Sequence, residues 1–426
     1  MSIPSRITPA EPIHPLPGPL QPATDSPPPP DELAGVRLAR VALTWLAEPG
    51  TWSVYRLVRE FGPVGALDRV LAGDVPDRRL LAAVAARRAA GDPHEVAAAA
   101  IAHTGRLDAR IVVPEDDEWP PQVRDLELLS LAAAERRIDQ DTAPPLAIWV
   151  RGQWPLAETL DRAVAVVGAR AATSYGGYVA TELGYGLANR RWTVVSGGAH
   201  GVDAAAHRGA LNAGGLTVAV LACGVDRPYP AGNSSLFDRI VETGLLISEW
   251  MPGAEPLRHR FLIRNRLIAA ATAGTVLVEA AARSGATQTL RRALAINRPA
   301  MVVPGPVTSA MSVGAHELLR EHPRTRLVTG VPHVLEEVGR IGADLAPLAR
   351  APRQPRDLLD DESALVLEAL PRRGALGPDE LAARAGLDIR LTLRKLALLE
   401  DLDLIVRRDG GYAIAAPSPR PTTTAN

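Results

Sequence analysis

Between residues 164 and 305 six short apolar runs recur, each closing on glycine or a polar residue. They are VAVVGAR (164–170), TVVSGG (193–198), TVAVLACG (217–224), GLLISEW (244–250), TVLVEA (275–280) and AMVVPG (300–305). Stretches of helical periodicity, such as YVATELGYGLANR and QTLRRALAI, separate most of them. Short apolar strands alternating with helices predict βαβ units: a Rossmann-like parallel sheet with helices on both faces, an α/β fold. In such sheets ligands bind beyond the carboxyl ends of the strands, where these glycine-rich ends converge.

The pattern changes on either side. Residues 1–30 are proline-rich and predict a disordered tail. Over 31–104 the periodicity is helical, in LARVALTWLAE, WSVYRLVREFG and RRLLAAVAARRAA. The Gly-Pro of EFGPVGALDRVL predicts a turn between two helices, compatible with a small helix-hairpin-helix or SAM-like domain. Residues 105–345 form the Rossmann-like domain, its first part (105–160) reading as loops and short strands around DDEWPPQV and PPLAIWVRG. A linker over 346–360 contains APRQPRD, and a second fold occupies 361–416 before a disordered tail at 417–426. There SALVLEALPRRG, PDELAARAG and IRLTLRKLALLEDL predict three helices, with Pro378 at a helix start. LIVRRDGGYAIA predicts a hairpin turning at Asp409-Gly410-Gly411, and the whole predicts a winged helix. Arg390, Arg394 and Lys395 then lie on its recognition helix and Arg407 and Arg408 on its wing.

Composition narrows the chemistry. A chain of 426 residues suggests two to four domains. A net charge of −1 makes any basic surface local. Cys223 is the only cysteine, which rules out an internal disulfide or a multi-cysteine metal centre. The single lysine, Lys395, lies outside the glycine-rich region, so there is no phosphate-loop lysine; arginine forks remain open to phosphate. The longest apolar run, Leu267 to Val278, falls short of the ~18 residues that suggest a membrane span. The N-terminus lacks the layout of a secretion signal. A cytoplasmic protein without a membrane partner is expected.

The first strand ends Val167-Gly168-Ala169-Arg170 rather than in G-x-G-x-x-G, and glycines end the second strand where a dinucleotide fold places its ribose-binding acid. An NAD enzyme is disfavoured and no cofactor is expected. Three glycine turns, at Gly168, at Gly197/Gly198/Gly201 and at Ser284-Gly285-Ala286-Thr287, point instead to phosphate approaching backbone N–H groups. Within SGGAHGVDAAAH, His200, Asp203 and His207 sit at i, i+3 and i+7, spread over about 10 Å of rise, too far for one metal ion. No metal and no catalytic residue is assigned; the glycines are taken as the phosphate cradle and Asp203 as the shaper of its turn. Residues 251–300 hold Arg258, Arg260, Arg264, Arg266, Arg283, Arg291, Arg292 and Arg298 against Glu255 and Glu279. FLIRNR (261–266) combines Phe261, Arg264, Asn265 and Arg266, where arginines hold phosphates while an aromatic stacks a base, which suits single-stranded nucleic acid. At least one arginine is expected to pair with Glu249 or Glu279.

VAVVGAR, VVSGGAHGVDAAAH, TVAVLACGVDRPYP, LISEW, FLIRNR, VLVEAAARSGATQT and VVPG follow one another in an order that resembles the DNA-processing protein A (DprA/Smf) family, over about residues 110–340. The resemblance implies an extended Rossmann fold that binds single-stranded DNA, forms a homodimer through the Rossmann-like domain, and loads the RecA recombinase during natural transformation, without a settled catalytic activity. Matched motif by motif, it implies DNA contact by Arg170, by Ser196, Gly197, Ala199, Gly201 and Asp203, and by Arg264, Asn265 and Arg266. His316 in SVGAHELL, where asparagine is usual, and Leu262-Ile263 before R-N-R depart from the family pattern. Two other readings stay open. One is a nucleotide N-glycosidase of the lysine decarboxylase-like kind, whose P-G-G-x-G-T-x-x-E glutamate is missing because Thr287 is followed by Gln288, Thr289 and Leu290. The other is a regulator that binds duplex DNA through the winged helix.

Overall fold

A computed structural model describes residues 30–129, 142–339 and 359–415. The expected tails at 1–29 and 417–426 and most of the linker lie outside those residues. The chain divides into two compact units near residue 346.

The first unit opens with four helices: α1 (Pro30–Leu46), α2 (Trp52–Ala72), α3 (Arg78–Arg88) and α4 (Pro93–Arg106). Helix α2 breaks at Gly62 (φ 70°), ahead of Pro63, which is the turn that Gly-Pro predicts. Asp77 and Asp92 cap α3 and α4 by accepting backbone N–H bonds from the first turn. Leu43, Leu46, Leu67 and Val70 form a core that continues into Ile111, Val113 and Trp149 at the sheet edge. The helices therefore share a core with the sheet. Arg40 reinforces the join with a bidentate bond to Glu115 at 2.6 and 2.9 Å.

The sheet has nine strands: β1 (Ala109–Val112), β2 (Ile148–Arg151), β3 (Ala163–Val167), β4 (Thr193–Ser196), β5 (Thr217–Leu221), β6 (Leu245–Ser248), β7 (Gly274–Leu277), β8 (Ala300–Val302) and β9 (Thr325–Leu327). The spatial order is β1-β2-β6-β5-β4-β3-β7-β8-β9. The six expected runs are β3 to β8, and all of them pair in parallel. At one side β1 and β2 extend this parallel sheet, adding antiparallel to β6. Strand β9 extends the opposite edge in parallel. Strands β3 to β8 are buried on both faces: Ala163, Ala165 and Val167 of β3 point into one core and Val164 and Val166 into the other.

The intervening helices are α5 (Leu156–Asp161), α6 (Ser174–Ala188), α7 (Val202–Asn212), α8 (Ser234–Thr243), α9 (Arg258–Ala270), α10 (Ala286–Ala295), α11 (Val313–Glu321) and α12 (Val331–Val338). Leu183 and Leu187 of α6 and Ala206 and Ala210 of α7 cover one face of the sheet. Leu267 and Ile268 of α9 and Leu290 and Leu294 of α10 cover the other. From β3 the chain winds outward through β4, β5 and β6, then returns to β7 on the other side of β3. That reversal opens a crevice at the carboxyl ends of β3 and β7.

The second unit comprises α13 (Asp361–Ala369), α14 (Pro378–Ala385), α15 (Ile389–Asp401) and the hairpin β10 (Ile405–Arg408)–β11 (Gly411–Ile414). The hairpin turns where expected, with Asp409 (φ 50°) and Gly410 (φ 77°) both left-handed. Leu367, Leu381, Leu396, Leu399, Ile405 and Tyr412 make its core. Lys395 departs from the expected recognition surface. Its Nζ lies 2.7 Å from Asp360 and 2.8 Å from Glu362, tying α15 to the start of α13. On the hairpin, Arg407 reaches Glu400 at 3.1 Å, whereas Arg390 and Arg394 on α15 are exposed.

Candidate nucleic-acid interface

A cleft of about 650 Å³ occupies the crevice. Gly168 and Arg170 after β3, Ala199 and Asp203 around the start of α7, and Ser284 and Gly285 at the start of α10 line it. From α9 come Arg258, Phe261, Arg264 and Asn265. Nine of the fourteen residues nominated from sequence thus converge, while Ser196, Gly197, Gly198, Gly201 and Arg266 stay outside the lining.

Those five are accounted for by what they touch. Ser196 is buried and donates its hydroxyl to Val166 O at 2.7 Å. A Cβ on Gly197 would enter the Arg264 guanidinium, and one on Gly198 would meet the Phe237 ring. Gly201 (φ 78°) lets its turn lie against the carbonyls of Ala169 and Arg170, and Val202 N–H donates to Ala169 O at 3.1 Å. Asp203 Oδ2 accepts from the N–H groups of Gly197 and Ala199 at 3.1 and 3.4 Å. The Asp203 carboxylate thus braces the turn from within, and the glycines let Arg264, Phe237 and the carbonyls of Ala169 and Arg170 pack closely against it. Burial lifts the Asp203 carboxyl above its usual range, opposed by the Arg264 charge and the two N–H bonds.

His207 is buried. The Thr217 hydroxyl donates to Val194 O at 2.7 Å, so His207 Nδ1–H donates to Thr217 Oγ1 at 2.7 Å and the imidazole is neutral. Burial, then the charges of Arg264 and Arg208, push its pKa down to about 3. Among the described residues no group of His, Cys, Asp or Glu is placed to hold a metal ion.

FLIRNR lies within helix α9, which turns R-N-R inward. Arg266 is fully buried and donates to Glu249 Oε2 at 2.5 Å, the expected arginine–glutamate pair. It leaves the DNA surface for that reason. Burial raises the Glu249 carboxyl, with Arg266 opposing. Glu279 takes no arginine; it accepts the N–H of Thr173 at 2.9 Å and its hydroxyl at 2.5 Å, at the start of α6. Arg264 donates to Val220 O at 2.6 Å, and burial lowers its pKa to about 10, which leaves it charged at neutral pH within the cleft wall. Asn265 Nδ2 donates to Gly285 O at 3.3 Å and ties α9 to the α10 turn.

Internal partners account for most of the other arginines. Arg260 binds Glu48, Arg291 binds Glu321, Arg298 binds Asp125, and Arg292 donates to Leu262 O. Arg170, Arg258 and Arg283 remain: each is exposed, lines the cleft and makes no ion pair among the described residues. The Arg170 guanidinium lies 5.0 Å from the centroid of the Phe261 ring. Arg258 and Arg283 were counted in the sequence but not singled out; their signal is the absence of a fixed carboxylate partner, which only the fold displays.

Helix starts divide in the same way. Glu279 closes the α6 start, and Asp203 places a carboxylate in the first turn of α7. Helix α10 has no acid in its first turn; Ser284 and Gly285 at its start line the cleft, and the Ser284 hydroxyl accepts the Ala286 N–H at 3.3 Å.

The family model described as DNA recombination-mediator protein A matches residues 110–339. The chain is 45% identical over 375 residues to the putative DNA processing protein DprA of Mycobacterium tuberculosis, spanning 87% of this chain and 92% of that one. It is 32% identical to protein Smf of Escherichia coli, over 71% of this chain and 76% of the relative. DNA processing protein A of Streptococcus pneumoniae superposes with a TM-score of 0.57 at 28% identity, covering 72% of this chain and 98% of that structure. The chain belongs to the DNA recombination-mediator protein A (DprA/Smf) family.

Proposed function

We propose that the cleft binds single-stranded DNA through its backbone phosphates. The observation that carries this reading is the set of three arginines without an ion pair among the described residues, Arg170, Arg258 and Arg283, lining one cleft with a half-buried phenylalanine and a helix start that carries no acid. This set sits in a chain whose net charge is −1, so the positive surface is local. The Phe261 ring beside the Arg170 guanidinium offers stacking to an unpaired base, which a duplex keeps inside its helix. Arg264, held at the cleft wall by Val220 O and Asp203, supplies a fixed positive field behind the exposed arginines.

The protein acts by binding rather than by catalysis. Among the described residues Asp203 is the only carboxylate lining the cleft, and its Oδ2 is engaged by two N–H groups. As a member of a recombination-mediator family, it hands the bound strand to the RecA recombinase during DNA uptake and recombination, acting as a homodimer through the Rossmann-like domain. Fluorescence anisotropy with a labelled single strand and with the matching duplex, over a range of salt, tests the reading. Tighter, salt-sensitive binding of the single strand is expected, and equal or tighter binding of the duplex overturns it.

A further inference from the structure

Beside the cleft stands an aromatic residue that the account so far leaves unused. Tyr229 follows β5 and is not among the cleft-lining residues. Its side chain is 44% exposed, and among the described residues its hydroxyl makes no hydrogen bond. Its ring meets that of Phe261 edge-on, with centroids 5.8 Å apart and planes at 63°. Phe261 in turn carries Arg170 at 5.0 Å. Arg170, Phe261 and Tyr229 thus form one continuous row running out of the cleft.

The loop that carries Tyr229 is held from both sides. Asn233 donates to Gly198 O at 3.0 Å, within the glycine turn. Gly224 N–H donates to Ala254 O at 3.0 Å, and Gly253 N–H donates to Asp226 at 2.9 Å. The ring is therefore presented from an ordered support, so little conformational freedom is lost when a flat partner stacks on it. With its ring half exposed beside that of Phe261, Tyr229 offers an unpaired base a second π-face next to the first.

We propose that Tyr229 forms a second base-stacking subsite, which receives the nucleotide next to the one on Phe261 and extends the DNA path from the cleft over the loop after β5. This rests on the reading of the cleft as a single-stranded DNA site. Its energetics differ from those of the arginines. A phosphate contact weakens with salt, while stacking of a neutral ring on a base contributes at every salt concentration.

The test uses the full chain, a labelled single-stranded deoxythymidine oligomer and the same backbone lacking bases. Tyr229→Ala is expected to weaken binding of the oligomer by about 5- to 150-fold, the loss of one stacked base, with the salt slope unchanged. Tyr229→Phe and Tyr229→Trp keep the parent affinity, because the ring and not the hydroxyl is used; they also report on the subsite if the alanine variant folds poorly. On the abasic strand Tyr229→Ala and the parent bind alike. Parent-like affinity of Tyr229→Ala for the oligomer, an equal loss on the abasic strand, or loss in Tyr229→Phe overturns the proposal. Arg170→Ala separates the two readings. If it weakens binding while Tyr229→Ala does not, the subsite alone fails; if neither variant weakens binding, the cleft reading fails with it.

Discussion

Gly197→Ala distinguishes a glycine that faces a ligand from one that faces protein. The added methyl would enter the guanidinium of Arg264, which is 4% exposed and anchored to Val220 O at 2.6 Å. Accommodating it means rotating Arg264 away or shifting the turn. Overpacking costs about 1–3 kcal/mol and loss of a hydrogen bond from a charged donor about 1.5–3 kcal/mol, together roughly 2.5–6 kcal/mol. That is a large part of the ~5–15 kcal/mol that holds a typical domain folded. Asp203 would also lose the neighbouring charge that opposes its burial. Gly285→Ala is the matched control: its Cβ meets nothing within 4 Å, and its backbone (φ −62°, ψ −22°) suits any residue. Stability there is expected to stay level or rise by about 0.4–1 kcal/mol. Because Gly285 opens onto the cleft, DNA affinity falls instead. Denaturant unfolding followed by tryptophan fluorescence, beside anisotropy with a single strand, reads both effects. A Gly197→Ala protein with parent stability and lost DNA affinity would refute the reasoning, since the glycine would then face the strand.

Other outcomes follow from the same contacts. His207 has a folded-state pKa of about 3 against the ordinary 6.5, so its contribution to stability is present above about pH 6.5 and is lost as pH falls toward 3. Acid unfolding of His207→Gln should lack that component, which is on the order of a few kcal/mol; a pH profile identical to the parent's contradicts the neutral, buried assignment. Arg170→Ala should weaken single-strand binding by about 10- to 150-fold and reduce the salt slope by about 0.7, while the thermal midpoint stays near the parent's because the side chain is exposed. Lys395→Met should lower the thermal midpoint of the second unit, by freeing Asp360 and Glu362, and leave duplex affinity unchanged.

Much of the fold is written in the hydrophobic pattern. Strands buried on both faces read as unbroken apolar runs, so β3 to β8 stand out, and their order places the crevice. Strands β1 and β9 form the edges of the sheet and are only partly buried, so no unbroken apolar run marks them, whereas β2 falls within PPLAIWVRG, where short strands are expected. The site was less legible. Three glycines in a turn announce that atoms approach the backbone closely, but not whose atoms. Here they belong to Arg264, Phe237 and the carbonyls of Ala169 and Arg170. A run of arginines announces positive charge, but not which charges are spent internally. Arg266 and Arg260 are taken up by Glu249, just after β6, and by Glu48, just after α1, whereas Arg258 has no such partner among the described residues. The same long-range pairing removes Lys395 from the surface the helical pattern predicts.

The central claim is that Arg170, Arg258 and Arg283 bind the phosphates of a single strand. The most direct measurement is the salt dependence of single-strand affinity for the parent and for the triple variant Arg170→Gln/Arg258→Gln/Arg283→Gln. With each phosphate contact contributing about 0.7 to the slope, the slope of log affinity against log salt should fall by about 2, with weak residual binding. An unchanged slope and affinity would place the DNA elsewhere on the protein.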